Sequence, residues 1–177
     1  ETPKGEWIRA WGFNETTVKE KRYPTIAELD AISTDHPIII TRTCGHICIV
    51  NTAALEKAGF ERKTPNPQGG VIEKNEKGEL TGKLIEAANM KMNDVASYTD
   101  DELMKAVKIA SDHFISGGIT SIHEAGTFDS NCYRLLQTAI KNKEIRVRVY
   151  AIIGTINESD KFVNKMMNAG IVTGTGD

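Results

Sequence analysis

The stretch TRTCGHICIVNTAAL, residues 41–55, holds the densest group of chemistry-bearing side chains in the sequence: Arg42, Cys44, His46, Cys48 and Asn51. Thiolate and imidazole are good zinc ligands. If the segment were extended, Cys44, His46 and Cys48 would share one face, because strand side chains alternate with period two. That spacing, however, sets neighbouring ligands about 6–7 Å apart, too far to share one ion easily. A structural zinc site also wants four ligands, whereas the segment offers three, and Cys132 lies far away in a helical pattern beside Tyr133. Cysteine packs readily as a small hydrophobe, so packing is the expectation for Cys44 and Cys48. His46 differs. Gly45 before it lets the backbone turn or approach a ligand closely, Asn51 follows at a helix N-cap position, and Arg42 shares its strand parity. Arginine, histidine and asparagine on an otherwise apolar element predict a pocket wall. The competing reading is a hydrogen-bonded interior histidine.

A second constellation is ITSIHEAG, residues 119–126. His123 and Glu124 are expected at the C-terminal end of a parallel strand, the edge where barrels and doubly wound sheets bind ligands. An imidazole there can act as an acid–base group or ligate a metal. Neighbours on a strand point to opposite faces, so only one of the two can face an interior. His36, before Pro37, and His113, near the end of a helical pattern, read as structural or solvated. The closing GTGD lacks the following helix that a phosphate loop requires, and the sequence contains no Gly-x-Ser-x-Gly, Walker loop or His-x-His pair.

The elements that must position these residues fall into three zones. Residues 1–22 hold a short β-prone run, EWIRAWGFN. Residues 23–88 are irregular: YPTIAELDAIS reads as a helix with Ile26, Leu29 and Ile32 on one side, HPIIITR as a strand and NTAALEKAG as a short helix capped by Asn51 and stopped at Gly59. GVIEKNEKGELTG reads as a hairpin around Lys77-Gly78. Residues 89–177 are more regular. Thr99 and Glu102 have capping-box spacing ahead of an amphipathic helix with Leu103, Val107, Ala110, Phe114 and Ile115 on one face, ended by Gly117-Gly118. Strand ITSIHEAG, helix DSNCYRLLQTAIKNK, strand IRVRVYAIIG and helix ESDKFVNKMMNAG follow, with IVTGTGD opening a further unit. Helices alternating with short strands predict a parallel α/β architecture.

Composition excludes several functions. The 177 residues carry a formal net charge of −2, which gives no electrostatic footprint for nucleic acid or an anionic membrane surface. No apolar run approaches the roughly 18–20 residues that cross a bilayer. Three cysteines make no disulfide framework and fit reduced thiols, so a cytoplasmic location is expected. The start, ETPKGEWIRA, lacks the basic and apolar regions of a signal peptide and an initiator Met, which predicts a cut or processed end. An eight-stranded barrel needs about 200–250 residues, and the β/α pattern stops in mid-repeat. A central piece of a longer α/β protein is therefore expected.

Taken together, EWIRAWGFNET, YPTIAELDAISTDHPIIITRTCGHICIVNTAALEKAG, TPNPQGGVIEKNEKGELTGKLIEAA and GITSIHEAG resemble the YtcJ-like metal-dependent amidohydrolases, the amidohydrolase 3 group. The resemblance implies a partial (β/α)8 TIM-barrel segment with an inserted α+β capping subdomain at residues 23–88. It implies hydrolysis of C–N, amide-like bonds in small molecules by water activated on a divalent metal, zinc being the expected ion. The family's His-x-His and bridging lysine map to no position of this sequence, so no metal ligand is expected within it and no activity of these residues alone. What the resemblance carries over is substrate binding, at Trp11, Arg42, His46 and Asn51, with Gly12 and Gly45 beside them. His123 is a weaker catalytic candidate, and Glu124 stands where relatives carry an acid. A sheet with open edges implies a homo-oligomer. Two other readings remain: a standalone domain binding a small ligand or protein through Arg42, His46 and Asn51, and a zinc module on Cys44, His46 and Cys48.

Overall fold

The structure, a computed structural model, describes residues 2–127, 130–153 and 159–171. It is a mixed α/β fold of two units, Glu1–Ser97 and Tyr98–Asp177. The first unit contains β1 (Ile8–Phe13), α1 (Ile26–Ile32), β2 (Ile38–Arg42), β3 (Ile47–Val50), α2 (Thr52–Lys57), β4 (Gly70–Lys74), β5 (Leu80–Glu86) and α3 (Ala87–Val95). Its five strands form one sheet in the order β1-β2-β3-β5-β4. β1 pairs with β2 in parallel, and the other pairings are antiparallel. The early strand therefore shares its sheet with the elements that follow it rather than standing apart from them.

Two apolar runs, PIII and ICIV, make the middle of this sheet, and their lack of polar alternation has a simple cause. Both faces are covered. Ile39, Cys48 and Val50 point into a core with Ala54 and Leu55 of α2 and Ala88 and Met92 of α3. Ile38 and Ile49 point the other way, against Leu29 of α1, with Ile8, Tyr23, Ile40 and Ile47 around them. α1 starts at a full capping box between Thr25 and Glu28. Only Leu29 of its expected apolar row is buried; Ile32 is exposed, since two turns of helix bring a single residue squarely onto the sheet.

Asn51 ties the middle of this unit together. Its Oδ1 accepts from the backbone N–H of Ile38 at 2.9 Å and of Ala54 at 3.1 Å. Its Nδ2 donates to the carbonyls of Ser33 and His36 at 3.0 and 2.9 Å. The expected N-cap of α2 is thus present. The same amide also joins the start of β2 and the loop that leads into it.

The second unit contains α4 (Asp100–Ser116), β6 (Ser121–Thr127), α5 (Ser130–Lys141), β7 (Arg148–Ile153) and α6 (Ser159–Asn168). β6 and β7 pair in parallel through α5, a βαβ unit, as helix–strand alternation predicted. The Thr99–Glu102 capping box is formed. The one fully buried residue of α4 among the described residues is Ser111, whose Oγ accepts from the Arg146 N–H at 2.7 Å. Leu103, Val107, Phe114 and Ile115 are half-buried and Ala110 is exposed. The unit expected from IVTGTGD lies, beyond Ile171, outside the described residues. No described helix is long and apolar enough to cross a membrane.

Replacing Asn51 with Ala strands two buried N–H groups and two carbonyls at once. Denaturant unfolding should show a loss of about 3–5 kcal/mol, far more than loss of a helix cap alone, about 1 kcal/mol.

Candidate functional site

Residues 41–55 do not form one strand. β2 ends at Arg42 and β3 begins at Ile47, and residues 43–46 turn the chain between them. The Gly45 N–H donates to the Arg42 carbonyl at 2.8 Å, and the Thr43 N–H to that of Phe13 at 2.9 Å. Gly45 has φ +77°, a conformation that glycine holds without strain. A Cβ there would lie 3.4 Å from Trp11 Cη2, so the indole rests against the turn. Trp11 is otherwise 72% exposed. Asn89 of α3, buried, donates from Nδ2 to the Gly45 carbonyl at 2.9 Å and fixes the turn from below.

The His46 ring faces Glu86. Its Nδ1 lies 2.9 Å from Oε2 and 3.1 Å from Oε1 of that carboxylate. The antiparallel register of β3 on β5, Ile47 opposite Ile85, brings the two together, and the Glu86 N–H donates to the His46 carbonyl at 2.8 Å. Glu86 has φ 51° and ψ −119°, dihedrals like those of the first central position of a type II′ turn, where glycine dominates. For glutamate such backbone costs about 1–3 kcal/mol. The start of α3 packs closely against β4 here: a Cβ on Gly70, which pairs with Glu86, would lie 2.5 Å from the Ala88 nitrogen. The Glu86 side chain does not cap α3; it reaches His46 instead.

Arg42 is committed elsewhere. Its Nε and Nη2 hold Glu15 by two hydrogen bonds of 2.9 and 2.8 Å. This guanidinium holds the Glu15 carboxyl at about 2, against an ordinary 4.5, and the Arg42 pKa is raised in return. Cys44 lies exposed on the turn, and its thiol pKa is lowered, first by the His46 N–H, 3.4 Å from Sγ, and then by Arg42. Cys48 is buried in the helix-side core, where desolvation pushes its thiol up to about 12. The two cysteines therefore lie in opposite environments, not on one face, and make no ligand pair.

Of the residues expected to bind substrate, the structure brings Trp11 and His46 to the same turn. Arg42 sits behind that turn on Glu15. Asn51 is fully buried with both amide atoms spent on the backbone, so it has no group left for a ligand; this corrects its place on the pocket wall. His123, in the other unit, is the third residue of the seven in β6, not at its C-terminal end, because the strand runs on to Thr127. It is exposed, opposite Tyr150, with ring centroids 5.3 Å apart. Glu124 points to the other face and accepts from the Gly126 N–H at 2.8 Å. Sequence reasoning missed Glu86 and Asn89; an acid directly before Ala-Ala, with no capping residue to open the helix, was the available signal. A cavity of about 390 Å³ in the second unit, lined by Asn131, Arg134, Lys165 and Met166 among others, holds none of the expected site residues. Among the described residues no three His, Cys, Asp or Glu side chains converge as ligands of one ion would.

The sequence matches the amidohydrolase family over residues 1–174. The chain belongs to that family. It is 37% identical to YtcJ of Bacillus subtilis (strain 168) over 119 residues, which are 67% of this chain and 20% of that protein. It is 31% identical to the N-substituted formamide deformylase of Arthrobacter pascens over 128 residues, covering 70% of this chain and 24% of the enzyme. An uncharacterized metal-dependent hydrolase from Pyrococcus horikoshii matches 98% of this chain with a TM-score of 0.68 at 22% identity, using 32% of its own length. The chain thus spans a minor part of the length of these relatives, and for this family member the expected resemblance is borne out.

Two measurements check the site. Glu15 is more acidic folded than unfolded, so it contributes stability above about pH 4.5 that is lost as pH falls toward 2. Glu28, held down by Arg22, acts in the same direction. Glu15→Gln should flatten the acid limb of the stability–pH curve over that window without removing the part owed to Glu28. In the native protein a small thiol reagent should modify Cys44 quickly and Cys48 only on unfolding, read by peptide mass analysis.

Proposed function

We propose that this chain forms one wall of the substrate pocket of a metal-dependent hydrolase that cleaves C–N bonds in small amide-like molecules. The observation that carries this reading is the family match, which runs through both units and includes a relative named as a formamide deformylase. The β6–α5–β7 unit is the building block of a (β/α)8 barrel, so residues 89–177 are read as a partial barrel and residues 23–88 as a capping insertion. The exposed Trp11 indole of the early strand offers an apolar plate, and His46 of the cap a hydrogen-bonding edge beside it. Arg42, through Glu15, braces the turn that carries His46 and on which the indole rests. His123, in the other unit, stays a weaker catalytic candidate.

The described residues do not fit a divalent ion. Zinc, the ion expected for the whole protein, would be held by other residues, and the part of this chain is binding and orientation. These residues alone would bind but not turn over substrate. A cytoplasmic location and self-association through open strand edges complete the proposal; sedimentation of a clean monomer would count against the latter.

The full-length gene product, supplied with zinc, should hydrolyse members of a panel of small amides and formamides. Trp11→Ala should raise KM about tenfold with kcat little changed, because the indole binds ground and transition states alike. No turnover across the panel would sink the reading.

A further inference from the structure

Glu86 combines three properties that packing alone does not explain. Its backbone sits where glycine is the natural residue, with φ 51°. Its carboxylate leaves the N-terminus of α3 uncapped. Among the described residues, the hydrogen-bond partner of that carboxylate is the His46 ring. Both side chains are about half exposed, 61% for His46 and 47% for Glu86. Such a pair adds little to stability, so stability is a poor reason to keep glutamate at a strained position. The neighbouring contacts restrain the same group: Asn89 holds the Gly45 carbonyl, the Glu86 N–H holds the His46 carbonyl, and Cys44 Sγ accepts from the His46 N–H. The backbone under the imidazole is fixed on every side, and the carboxylate fixes the remaining freedom, the rotation of the ring. With Nδ1 taken, Nε2 is the ring nitrogen left without a protein partner among the described residues, on a side chain that is 61% exposed.

We propose that Glu86 is a positioning residue: it accepts a hydrogen bond from His46 Nδ1–H and so presents Nε2, as an acceptor in the neutral ring, to the substrate. The hydrogen bond made by one imidazole nitrogen selects the tautomer at the other. An Nε2 acceptor suits a ligand that donates an N–H, as primary and secondary amides and formamides do and tertiary amides do not. The proposal rests on the reading of His46 as a substrate contact, and its test separates the two.

Ring-nitrogen NMR of the 15N-labelled 177-residue chain, at a pH where His46 is neutral by its own titration, reads the tautomer without any activity. The wild type should show Nδ1–H. Glu86→Gln should keep it, because the amide oxygen still accepts. Glu86→Ala and Glu86→Gly should shift it toward Nε2–H. The glycine variant also relieves the backbone, so it guards against a variant that fails to fold, and retained amide dispersion confirms the fold. An unchanged tautomer in both variants overturns the proposal.

In the full-length protein, E86A, E86G and H46A should each raise KM about tenfold for a secondary amide. The effect on kcat should be smaller, the double variant E86A/H46A should add nothing further, and E86Q should restore KM. A tertiary amide should be insensitive to all of them. A shifted tautomer with KM unmoved by E86A and by H46A overturns His46 as a substrate contact and with it the role given to Glu86.

Discussion

The side-chain amide of Asn51 is the interaction on which the first unit depends. Four backbone groups, the N–H of Ile38 and Ala54 and the carbonyls of Ser33 and His36, meet at one buried point. None belongs to a regular ladder there, and leaving any of them unpaired would cost more than most single contacts supply. One asparagine, with two acceptor sites and two donors, satisfies all four. Because it does, β2 can start immediately after a loop, β3 can pass directly into α2, and the centre of the sheet can be covered on both faces by helices.

The turn at residues 43–46 follows from that arrangement. With β2 and β3 held in register, the four residues between them must reverse the chain. Gly45 supplies the positive φ, and the absence of its side chain gives the Trp11 indole a surface to rest on. The same turn divides the two cysteines of CGHIC between solvent and core. Cys44 meets N–H donors and a guanidinium, whereas Cys48 meets aliphatic side chains, and their acidities move in opposite directions. A short motif that looks uniform in sequence therefore acquires two chemistries.

A strained residue stands beside the same turn, where β5 ends at Glu86. Gly70 lets α3 begin against β4 at a distance that no other residue would permit, directly after Glu86 with its positive φ. Backbone outliers of this kind persist where the surroundings over-determine them and cluster at working sites. Here the outlier aims a carboxylate at an imidazole one strand away. Membership in the amidohydrolase family gives that pair the context in which we propose that it orients a substrate.

Local signals in the sequence determined much of what is seen. The capping box at Thr99 and Glu102, the Asn51 N-cap, the hairpin at Lys77-Gly78 and the β6–α5–β7 alternation all rest on interactions within a few residues, which is why they were legible. The family was legible for a similar reason: its long motifs are continuous in sequence. Tertiary structure decided the rest. Asn51 looked like a wall residue because its type suits a pocket, but only the fold brings four orphan backbone groups to it. Arg42 was free in sequence and is clamped in space by Glu15, 27 positions away. The partnership of His46 with Glu86 spans 40 positions and exists because β3 pairs with β5. Short-range hydrogen bonding and periodicity are written in neighbouring residues; the ownership of a donor or acceptor by a distant group is settled only when the sheet assembles.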